Sequence, residues 1–89
     1  MKTLRVSQHE FGGDPESRFE SARRLAFLLA ESERETVHPE LVAWIDRASA
    51  RTSPALEGCG GREAWRRYGI SHGGRLEVDV GSDAAFIFA

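Results

Sequence analysis

Three histidines, His9, His38 and His72, and one cysteine, Cys59, are the side chains of this 89-residue chain best suited to chemistry beyond charge and packing. With Glu10 and Glu40 close to two of the histidines, they are raw material for a metal centre or an acid–base pair. Their spacing supplies neither. No His-x-x-x-His falls on a predicted helix and no second cysteine completes a Cys-x-x-Cys, so no metal is expected. Each histidine also has a structural explanation: His9 ends a strand, His38 precedes a helix-opening proline, and His72 sits in a glycine turn. Cys59 stands in Glu57-Gly58-Cys59-Gly60-Gly61, where the backbone N–H groups of a glycine loop can cradle an anion and lower a thiol pKa. A nucleophile needs a base that this spacing does not provide, and a small buried hydrophobe is the simpler role for a lone cysteine. No glycine run follows a strand and opens a helix with the lysine or third glycine of a nucleotide fingerprint, so no cofactor is expected.

The segment Arg62-Glu63-Ala64-Trp65-Arg66-Arg67-Tyr68 is basic and aromatic, a composition that can lie on phosphates and stack bases. Three features oppose that use. Trp65 and Tyr68 share a helical face with Ala64, as core anchors do; Glu63 precedes Arg67 by one turn and can pair with it; and the chain carries 12 basic against 14 acidic side chains, a net charge of −2. Nucleic acid is therefore a minor reading, with Arg62, Trp65, Arg66, Arg67 and Tyr68 as its residues. No segment matches a family motif specific enough to carry residue roles over.

The elements that must position these groups follow from punctuation and periodicity. Leu4-Arg5-Val6-Ser7 alternates as a half-buried strand. Asp14 and Pro15 are an N-cap and a first helical residue, and Phe19, Ala22, Leu25, Ala26, Leu28, Leu29 and Ala30 line one broad side of a helix ending near Ser32. Phe27 departs from that stripe, on the polar side beside Arg23 and Arg24. Glu31-Ser32-Glu33-Arg34-Glu35 is a solvated connection. Pro39 predicts a second helix, capped by Thr36 or His38, in which Leu41, Val42, Ile45 and Ala48 form the buried face, ending before Ser53-Pro54. Arg62–Tyr68 makes a third, short helix that Gly69 stops, with Ile70-Ser71 as an optional short strand. Leu76–Val80 and Ala84–Ala89 form a hairpin around Gly81-Ser82-Asp83.

The last strand is continuously apolar, which suits a central position, and it is placed between the first strand and Leu76–Val80. The predicted fold over residues 1–89 is a single α+β domain, a two-layer βαα(α)ββ sandwich with helices on one face of a small, mainly antiparallel sheet and the C-terminal strand central. Leu4, Val6, Leu25, Leu29, Leu41, Ile45, Leu76 and Val78 are its expected core. A chain with no disulfide partner, no signal core and no apolar run long enough to span a bilayer is expected in the cytoplasm and off the membrane.

Composition and motifs exclude more than they assign, and function is not determinable from them. The reading adopted is a non-enzymatic binding or regulatory module that works through a protein partner or a homodimer. Its interface residues come from hairpin register. A two-residue Gly81-Ser82 turn sets Val78 opposite Ala85 and Leu76 opposite Ile87, so Phe86 and Phe88 point outward, with Phe27 as a further contact. A three-residue turn, with Val80 opposite Ala84, would turn both phenylalanines into the core. The alternative to a contact module is a ligand-binding protein or enzyme with a pocket between helices and sheet, where His9, Glu10, Cys59 and His72 converge.

Overall fold

In a computed structural model, the described residues are 1–6, 13–55, 63–81 and 83–89. They form, in chain order, strand β1 (Lys2–Arg5), helix α1 (Pro15–Glu31), a 3-10 turn (Arg34–Thr36), strands β2 (Leu41–Asp46) and β3 (Arg51–Ser53), helix α2 (Ala64–Ser71), and strands β4 (Leu76–Val80) and β5 (Ala84–Phe88). The sheet runs β1-β4-β5-β2-β3; β1 is parallel to β4 and the other neighbours are antiparallel. The fold is α+β, two helices on a five-stranded mixed sheet, with the C-terminal strand at its centre as expected. The neighbours of that strand differ from expectation: β5 lies between β4 and β2, and β1 takes the edge beyond β4.

Helix α1 forms where local signals put it. The Asp14 side chain accepts from the backbone N–H of Ser17 at 2.8 Å, and Pro15 opens the first turn. Phe19, Ala22, Ala26 and Ala30 are its buried line. Three alanines one turn apart bring the helix backbone close to the sheet, and the space this leaves is filled by Phe86 and Phe88. The stripe is narrower than periodicity suggests and rotated: Leu28 is 66% exposed, whereas Phe27 packs edge-to-face on Phe88 with ring centroids 5.0 Å apart.

The predicted second helix does not form. Residues 41–46 are instead a strand, paired with β3 and β5, in which a β-bulge between Leu41 and Ala43 breaks the alternation and places Val42 and Ala43 on the same side of the sheet while Leu41 and Trp44 serve the other. The resulting spacing imitates a helical face, and in a run this short periodicity alone does not separate the two. Thr36 caps nothing there; its hydroxyl donates to the Ala30 carbonyl at 2.7 Å, beneath the end of α1. Helix α2 also continues past Gly69 through Ile70 and Ser71, and so excludes a strand at that point. Its stop is at Gly73, with φ +88°.

The hairpin takes the three-residue register: Val80 pairs with Ala84, Val78 with Phe86 and Leu76 with Phe88. Ala84, Phe86 and Phe88 consequently face α1 with Leu76, Val78 and Val80, while Ala85 and Ile87 face α2 with Ala43 and Trp65. The two helices therefore cover opposite faces of the sheet, in place of the predicted one-face arrangement, and the core is two clusters instead of one. Volume complementarity explains the register. Alanines on α1 require large partners, whereas α2 brings Trp65 and a close-packed Gly69, where an added Cβ would come within 2.8 Å of Ile87 Cδ1, and so requires smaller ones.

Candidate functional site

The structure separates the residues that sequence reasoning grouped. Of the pocket set, His9, Glu10 and Cys59 lie outside the described residues. His72 caps the C-terminus of α2, exposed, with its ring stacked on Tyr68 at 3.8 Å. Its Nδ1 lies 2.9 Å from the Tyr68 carbonyl and 3.1 Å from the Ser71 hydroxyl, which itself donates to that carbonyl at 3.0 Å. A hollow of about 350 Å³ beside it is lined by Glu40, Leu41, Val42, Tyr68, His72 and Ala89. His38 lines a separate hollow with Phe27, Glu31, Val37 and Pro39. Among the described residues no three His, Cys, Asp or Glu side chains gather as a metal site would require.

The basic and aromatic segment is divided in the same way. Arg62 lies outside the described residues. Trp65 is buried against Ala43, Ala85 and Ile87, with no ring face left for a base, because the α2 side of β5 offers only small or aliphatic groups to cover it. Arg66 is committed to Glu77: its Nε donates to Oε1 at 2.6 Å, and the buried carboxylate holds the guanidinium's proton more tightly than usual. Tyr68 is half-buried under His72, and Arg67 is exposed. The cluster is mostly the inner and ion-paired side of α2.

The interface expected at Phe86 and Phe88 is also corrected. Both are completely buried, in contact with Phe19 and Phe27 of α1, because the hairpin register turns them inward. What remains apolar and exposed lies elsewhere. Leu28 projects from the outer side of α1, and with Arg23, Arg24 and Phe27 it lines a shallow hollow of about 430 Å³. Phe27 also borders the hollow with Val37, which is 67% exposed, so the two hollows adjoin along the C-terminal half of α1 in a strip that is apolar at Leu28 and Phe27 and more polar toward Glu31 and His38. Arg23 is held within the chain: its guanidinium reaches Glu20 at 3.5 Å and lies 5.6 Å from the Phe27 ring centroid. A sequence signal for this surface existed in the breadth of the apolar stripe, which is too wide for a helix that meets its sheet through alanine.

The described residues form a small α+β domain, a sheet with one helix on each face, with Leu28 exposed beside Phe27 on α1 and no cluster of metal-ligating side chains. The chain belongs to the family described as a domain of unknown function (DUF5619), which it matches over residues 1–89. No curated protein matches it. Among solved structures it resembles the novel protein AF1514 from Archeoglobus fulgidus DSM 4304, with a TM-score of 0.80 at 21% identity over 100% of this chain and 93% of that one. That likeness shows the fold. Neither description names an activity, and function stays undetermined by comparison. No helix among the described residues is long and apolar enough to cross a membrane.

Proposed function

We propose that this chain is a non-enzymatic module that acts through protein contact in the reducing cytoplasm, with the outer side of α1 as its contact surface. The carrying observation is Leu28, two-thirds exposed in the last turn of α1 and flanked by the hollow that Phe27 shares with Val37. A single exposed leucine is ordinary on a protein surface, but a contiguous strip rimmed by Arg23, Arg24 and Glu31 has the apolar centre and polar border of an interface. Burial of Trp65 and pairing of Arg66 weigh against nucleic acid as the partner.

A photoreactive residue placed at position 28 tests this reading, with a second placed at Glu16 as control. A discrete protein adduct from position 28 alone is the expected result. A Leu28→Lys variant should keep its stability within about 0.5 kcal/mol, as at any surface position free of structural duty. Loss of the fold in that variant, or adducts of the same pattern from both positions, would overturn it.

A further inference from the structure

Resting on that reading, we infer that the partner of the α1 strip is a second copy of this chain, docked with the two α1 helices antiparallel about a twofold axis that passes beside Phe27 and Leu28. Arg24 lies one turn before Leu28 and Glu31 about one turn after it, both exposed on the outer side of the helix. Among the described residues no ion pair or hydrogen bond engages either side chain, although Arg23 next door is satisfied by Glu20. The two do not pair with each other along the helix, where seven residues at 1.5 Å rise set their Cα atoms roughly 10 Å apart.

A twofold interface is self-complementary: whatever residue i meets, the same residue on the other copy meets residue i. Reversing one α1 about a point midway between Phe27 and Leu28 carries position 24 onto position 31, so each Arg24 faces the other copy's Glu31 and the two Leu28 side chains meet between them. A parallel arrangement would set Arg24 against Arg24 and Glu31 against Glu31. The charge order on this face therefore selects both the partner and its direction. One helix face on an 89-residue chain makes a small interface, so the dimer belongs in the weak class and its ion pairs should be sensitive to salt.

Sedimentation equilibrium of the whole chain from about 10 μM to about 1 mM, at low and high salt, measures it, on the scale where weak interfaces dissociate. Arg24→Glu and Glu31→Arg should each weaken self-association by about tenfold or more, because each places like charges across the axis at two points. An equimolar mixture of the two variants should associate again, since the new glutamate of one copy faces the new arginine of the other and the native Glu31 of the first faces the native Arg24 of the second. Circular dichroism confirms that each variant is folded. A chain that stays monomeric at about 1 mM overturns the inference, as does a dimer indifferent to both substitutions or a mixture that fails to recover. If the chain is monomeric but position 28 still yields a discrete adduct with another protein, the contact surface stands and only the second copy is lost. If no adduct forms either, both readings fall.

Discussion

At the residue scale, close packing rather than catalysis explains the most constrained positions. Gly74 sits where a Cβ would lie 2.6 Å from the Gly69 carbonyl oxygen and 2.7 Å from Ile87 Cγ2, so the loop after α2 can press onto β5 only without a side chain. Gly74→Ala should cost about 1–3 kcal/mol in urea denaturation, the usual penalty for overpacking, and an unchanged midpoint would show that the loop has room to move. The Arg66–Glu77 pair makes a second prediction. Its carboxylate is nearly enclosed while the arginine keeps contact with water. Arg66→Met strands a buried charge and should destabilise by about 1–3 kcal/mol, below the range for a fully enclosed pair because solvent still reaches the site. Adding Glu77→Leu should recover part of that loss, and a double variant less stable than the single would refute the account. The roles of Arg66 and Trp65 were only half legible: their helical face was plain, but the acidic partner eleven positions away on β4 was not.

At the element scale, α1 was the best-read part of the chain because its start is encoded within four residues. Asp14 caps the N-terminus, and the Ser17 backbone N–H holds its carboxyl below the usual carboxylate range. A lowered folded value means that the contribution is complete above the ordinary carboxylate pKa and is lost as pH falls through the lowered one. Asp14→Ser keeps a cap without the titration. The Tm of the wild type should therefore fall more steeply than that of the variant as pH drops below about 4, and parallel curves would refute the assignment. Strand β2 reads as a helix in the sequence, for a local reason. Its bulge gives Leu41, Val42 and Ile45 a helix-like spacing, and the hydrogen bonds that make it a strand come from β3 and β5, distant in sequence on one side.

On the scale of the whole molecule, stability depends on the layer where Ala22, Ala26 and Ala30 meet Phe86 and Phe88. Phe86→Ala should cost about 3–5 kcal/mol, a large part of what a domain this small has, and retention of a cooperative transition near the wild-type midpoint would show that the layer collapses to fill the hole. Local chemistry was enough to determine the α+β class, the ends of α1, the two C-terminal strands and the central place of the last one, because caps, alternation and a continuous apolar run act over a few neighbouring residues. The sequence by itself left open the register of the hairpin, which the turn residues Gly81, Ser82 and Asp83 allow in two forms. Only tertiary structure decided it. One register buries two phenylalanines against an alanine-lined helix and leaves Ala85 and Ile87 for α2, so that both faces fill; the other would put large groups where α2 approaches closely and small ones where α1 leaves space. The same decision put the helices on opposite faces and moved the exposed apolar surface from the sheet to α1, because whichever residues the two layers do not bury are the ones that remain outside.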